Sequence, residues 1–101
     1  MKQFMVTYLG GDAPSSLEEG KENMQKFQIW LETLSSAVVK PMVPLENTHT
    51  IKPDGSLWAG SSTAMSGYSV IKAESMEKVV GYLKSCPFLG SNGTLEVAEL
   101  P

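Results

Sequence analysis

Arginine is absent from this chain, and all eight of its basic residues are lysines, at 2, 21, 26, 40, 52, 72, 78 and 84. Arginine supplies the rigid donor fork that reads phosphates, carboxylates and guanine edges. With no arginine, no basic stripe and a net charge of -3, the chain lacks a nucleic-acid footprint, and no nucleic acid is expected as partner. One cysteine, Cys86, excludes an intrachain disulfide. One histidine, one cysteine and two aspartates make too small a ligand set for a metal centre, so no metal is expected. No apolar run approaches the roughly 20 residues of a membrane span, and no leader-like segment precedes the first strand. No membrane association is expected, and the default compartment is the cytoplasm. "LGGD" is too short for a phosphate loop and does not run into a Gly-Lys helix start, so no nucleotide cofactor is called.

The 101 residues form one domain of ordinary globular composition, 42% hydrophobic and 19% charged. A domain this small buries only about two thirds of its unfolded surface, so self-association would add useful burial.

Residues 2–9, "KQFMVTYL", predict a strand apolar on both faces. Phe4, Val6 and Tyr8 lie on one side, with Met5 and Leu9 flanking Thr7 on the other. Such a strand belongs in the middle of a covered sheet. "GGDAP" (10–14) reads as a loop. Ser16 and Glu19 have capping-box spacing, opening a helix whose stripe is Met24, Phe27, Leu31, Leu34 and Val38, flanked by Trp30. That helix must end before Pro41.

"PLENTHTIK" (44–52) alternates, placing Leu45, Asn47, His49 and Ile51 on one face. Pro53-Asp54-Gly55 is a turn leading into the short strand "SLWA". "GSSTAMSG" (60–67) reads as a loop and "YSVIKA" (68–73) as a strand. Ser75 caps a second helix with Met76, Val79, Val80 and Leu83 inward, stopping at Pro87. "GSNG" is a turn and "TLEVAEL" the last strand. The order is β-α-β, hairpin, β-α-β. It is an α+β, ferredoxin-like arrangement with a four-stranded antiparallel sheet, plus a small extra hairpin. Helices cover one sheet face, and a second copy of the chain is the simplest cover for the other.

Three stretches carry a family resemblance: "MKQFMVTY" at the start, "SGYSVIKAESMEKVVGYLKSCPFL" in the second half and "GTLEVAEL" at the end. Together they resemble the YCII-related family, over nearly the whole of 1–101. The resemblance implies a dimeric α+β barrel, two ferredoxin-like sheets face to face, and so a homodimer. It also implies, for some relatives, small enzymes with a histidine and an aspartate in the cleft. This chain departs from that pattern. Its loop reads "AGSSTAMSGY" where the larger branch has Asp-Gly-Pro-Phe, and residues 21–40 contain no histidine.

His49 is the remaining candidate catalytic group. The alternation points it inward with Leu45 and Ile51, where an imidazole could act as a general base near neutral pH. Tyr8, Trp30, Trp58 and Tyr68 are candidate ligand-binding aromatics for a small organic ligand. Ser66, in the hydroxyl-rich loop 61–66, is a candidate polar contact at the cleft mouth. Cys86 sits at a helix end, where the dipole disfavours a thiolate. The Ser75-Met76-Glu77-Lys78 run matches an acyl-transfer motif, but Ser75 is already accounted for as a cap.

Two functions remain open. One is a small-molecule-binding homodimer, with metal-free and nucleotide-free catalysis at His49. The other is a non-catalytic homodimer serving as a regulatory or protein-interaction module.

Overall fold

The computed structural model describes residues 1–101. Six strands and two helices follow one another as β1 (Lys2–Gly10), α1 (Leu17–Leu34), β2 (Val38–Pro44), β3 (His49–Ile51), β4 (Leu57–Ala59), β5 (Met65–Ala73), α2 (Met76–Leu83) and β6 (Gly93–Leu100). The main sheet has the order β2-β5-β1-β6, all antiparallel. That is the ferredoxin-like topology, with β1 in the interior as its two apolar faces require.

β1 pairs Phe4 with Ile71 and Val6 with Ser69 on one side, and Val6 with Val97 and Tyr8 with Leu95 on the other. These residues share the face covered by the helices. Phe4, Val6, Tyr8, Ile71 and Val79 are fully buried there, joined by Leu31, Leu34, Leu83 and Cys86. Only 14 residues of 101 are buried, and the molecule is a slab 18 Å thick. Its radius of gyration, 14.7 Å, exceeds the roughly 13 Å of a compact domain of this length. A sheet with helices on one side only accounts for the flatness.

Ser16 accepts a hydrogen bond from the Glu19 N–H and so caps α1. The Glu19 carboxylate turns instead to the Ser15 hydroxyl, leaving the capping box half formed. Ser75 caps α2 in the same way, accepting from the Lys78 N–H. The two helices are tied together by Trp30, which is buried, not peripheral. Its indole N–H lies 3.2 Å from both the Tyr82 carbonyl and the Ser85 hydroxyl.

Three expectations are corrected. First, α1 stops at Leu34, where Ser35 takes φ 51, and Val38 opens β2 instead of extending the helical stripe. Met24, assigned to that stripe, is 75% exposed. Second, the second strand of the main sheet is 38–44, although it contains Pro41 and Pro44. Proline removes a ladder donor, which an edge strand tolerates, and β2 is an edge strand whose register shifts around Pro41. Third, the alternation over 44–52 does not form one strand. Asn47 has φ 54, in the left-handed region, which interrupts the pleat. Only His49–Ile51 is extended, paired with Leu57–Ala59 in a separate two-stranded hairpin. His49 is therefore exposed and does not point into the core.

Candidate functional site

Tyr8, near the end of β1, packs against Phe27 of α1, and three aromatic rings converge there. Tyr8 meets Phe27 of α1 edge-on at 5.8 Å and Phe88 of the 3-10 turn after α2 at 5.4 Å. Edge-on aromatic pairs of this kind favour a fixed arrangement beyond their buried area. Two glycines make room for Phe88. A side chain at Gly93 would overlap its ring, and one at Gly11 would stand 2.8 Å from it.

Beside these rings opens a cavity of about 700 Å³, walled by α1, by Met42 and the prolines of β2, and by the Phe88 turn. Its size suits a small organic guest. The polar groups of its lining are Asp12, Asn23, Lys26, Gln28 and Ser91, with one carboxylate, one amine and no imidazole or thiol. Nowhere in the chain do three or more His, Cys, Asp or Glu side chains gather closely enough to hold a metal ion.

The Tyr8 hydroxyl lies 2.7 Å from the Ser69 hydroxyl in the sealed interior. Burial pushes its pKa up to about 12, the Ser69 hydrogen bond opposes this, and Cys86 adds to the rise. It therefore stays neutral at neutral pH and serves as a hydrogen-bonding group. Burial likewise pushes the Cys86 thiol up, partly offset by a backbone hydrogen bond at Phe88. Such a thiol is a poor nucleophile.

Of the residues singled out in the sequence, Tyr8 alone lines this cavity. Trp30 is buried between the helices. Tyr68 lies on the opposite sheet face, across from Thr7. Ser66 sits beside the β1–β5 register shift, its hydroxyl donating to the Tyr8 carbonyl at 3.2 Å. Trp58 and His49 both belong to the hairpin. The Lys52 amine stands 5.5 Å from the Trp58 ring, and His49 Nδ1 lies 3.0 Å from the Asn47 carbonyl.

Phe27, Phe88, Met42 and Asp12 are the cavity residues that sequence reasoning missed as a site. Phe27 was legible only as core. Phe88 follows the helix-ending proline, and Asp12 lies in a Gly-rich loop; neither position carries a periodic signal.

No family model matches the sequence, and no curated protein does. Among solved structures, the chain is similar to the 5-chloro-2-hydroxyhydroquinone dehydrochlorinase of Burkholderia phenoliruptrix AC1100, in complex with 2,5-dihydroxybenzoquinone. The TM-score is 0.61 at 19% identity, over 98% of this chain and 93% of that one. The likeness shows the fold alone. No helix is long and apolar enough to cross a membrane.

Proposed function

We propose that the protein is a homodimeric binder of a small aromatic organic compound, held in the cavity between α1, β2 and the Phe88 turn. The observation that carries the reading is the triad of rings, Tyr8, Phe27 and Phe88, bordering an open space of about 700 Å³ with few polar groups. Tyr8 backs the site from the interior, while the half-buried rings of Phe27 and Phe88 offer apolar area to a planar guest and the polar groups of the rim orient it. The similar solved structure, which holds a dihydroxybenzoquinone, supports a ligand of that size and shape. Binding is favoured over catalysis because the lining contains no imidazole or thiol, and His49 stands outside it.

A second copy would cover the open sheet face, where Met5, Tyr68, Val70 and Ala98 lie. A reducing compartment such as the cytoplasm suits the single unpaired thiol. The exposed hairpin residues Ile51, Leu57 and Trp58 favour the other reading, an interaction module.

The two separate in one titration. Amide shifts of isotope-labelled protein are followed as hydroquinone, benzoate and 2,5-dihydroxybenzoquinone are added. Aromatic binding predicts shifts centred on Phe27 and Phe88, abolished by Phe88→Ala and untouched by His49→Gln. No saturable shift with any compound, or shifts confined to residues 47–60, would overturn it.

A further inference from the structure

We propose that Asp12 is the specificity-determining residue of this cavity, an acceptor that selects aromatic guests bearing a ring hydroxyl over their methyl ethers. The inference rests on the aromatic-cavity reading and adds to it a named group and a ligand class.

Asp12 is the only carboxylate in the lining. Gly10 and Gly11, at φ 69 and 89, turn the chain sharply after β1, a reversal that side-chain-bearing residues resist. The turn carries Asp12 back against the far loop, where its N–H donates to the Ser91 carbonyl at 2.6 Å. Asn92, itself at φ 60, donates its amide to Asp12 Oδ2 at 2.6 Å. The residue is thus fastened at its backbone N–H by Ser91 and at one carboxylate oxygen by Asn92, 80 positions away in the chain. Its other oxygen accepts no hydrogen bond from the protein. Lys26, the one cation of the lining, makes no ion pair with it, the chain's single ion pair being Lys2–Glu99.

An ionised carboxylate only accepts, so a guest that covers it must bring a donor. With one anion, Asp12, and one cation, Lys26, the lining has no net formal charge to draw in a charged guest. Of the common neutral donors on a planar aromatic, a ring hydroxyl is more acidic than a ring amine and bonds a carboxylate more strongly. A methyl ether has nearly the same shape but strips water from the carboxylate without replacing the bond, and sites built on a hydrogen bond reject such analogues. Because Asp12 is held before the guest arrives, little ordering cost offsets the gain. Its exposure keeps the discrimination modest, about tenfold, at the weak end of charge-assisted hydrogen bonds.

The test is calorimetric titration with hydroquinone and 1,4-dimethoxybenzene. The wild type is expected to prefer hydroquinone about tenfold. Asp12→Ala should bring the ratio close to one while dimethoxybenzene still binds. Asp12→Asn, which keeps the shape and a weaker acceptor, should fall between. Asn92→Ala, which frees the carboxylate but keeps its charge, should lower the ratio without abolishing it. An unchanged ratio in Asp12→Ala and Asp12→Asn, with both guests bound, overturns the role of Asp12 and leaves the aromatic cavity standing. Failure of every guest to bind the wild type overturns both.

Discussion

The phenol of Tyr8 on β1 and the hydroxyl of Ser69 on β5 hold each other at 2.7 Å, both residues fully buried. Each would cost free energy alone in that interior, and together they are satisfied. The pair also links the cavity to the core, since the same tyrosine borders the cavity from the interior.

This pair gives the stability of the fold an alkaline limit. The Tyr8 pKa is raised to about 12 in the folded chain from 10.0. Between these values the unfolded chain has lost the proton that the native one keeps, so stability falls as pH rises. The contribution is fully present below pH 10 and gone above about 12, and amounts to about 2–3 kcal/mol. Replacing Tyr8 with Phe orphans Ser69 and should cost about 1–3 kcal/mol at pH 8. Denaturant melts of wild type and Tyr8→Phe should converge towards pH 11.5, because the lysines titrate alike in both. A gap of equal size at both pH values would refute the assignment.

Glycine acts by close approach at Gly93 and by nothing at Gly81. A methyl at Gly93 would overlap the Phe88 ring, whereas one at Gly81, in the middle of α2, meets no atom within 4 Å. Gly93→Ala should therefore destabilise by about 1–3 kcal/mol, the usual cost of overpacking. Gly81→Ala should stabilise by about 0.5–1 kcal/mol through helix propensity. Adding Phe88→Leu to Gly93→Ala should recover part of the loss. A double-mutant cycle with no coupling would mean that Phe88 does not occupy that seat.

How far these features could be read from the chain depends on whether their cause is local. The two-faced apolar pattern of β1, the Ser75 cap and the Leu95/Val97 alternation of β6 are local and form as read. At Ser16 the hydroxyl cap forms without the reciprocal Glu19 half of the box. β2 was hidden because Pro41 and Pro44 argue against a strand unless it is known to be an edge, and edges are decided by topology. The inward histidine followed from an unbroken alternation, which one left-handed residue, Asn47, breaks. The cavity is the least local feature. Phe88 meets Tyr8 from the far end of the chain, and Asp12 is fastened to Asn92 across 80 residues. Neither contact leaves a period or a spacing in the sequence.

The open sheet face supplies the last prediction. Met5 lies on the central strand between Val70 and Ala98, 37% exposed in the single chain. On the same face Lys72 pairs across from Gln3 and Glu96 from Thr7, so a two-fold partner could oppose lysine to glutamate as well as bury Met5. A specific interface of this sort buries above roughly 1,000 Å² in total. The wild type at micromolar concentration should sediment at about twice the 10.9 kDa of the chain. Met5→Glu puts a charge into the middle of that interface but only at a half-open position of the lone subunit. It should therefore sediment at the chain mass with its circular dichroism unchanged. A wild type that sediments as a monomer would leave this face uncovered and remove the homodimer from the proposed function. A Met5→Glu variant that stays dimeric would move the interface elsewhere, with the apolar hairpin around Trp58 the next surface to mutate.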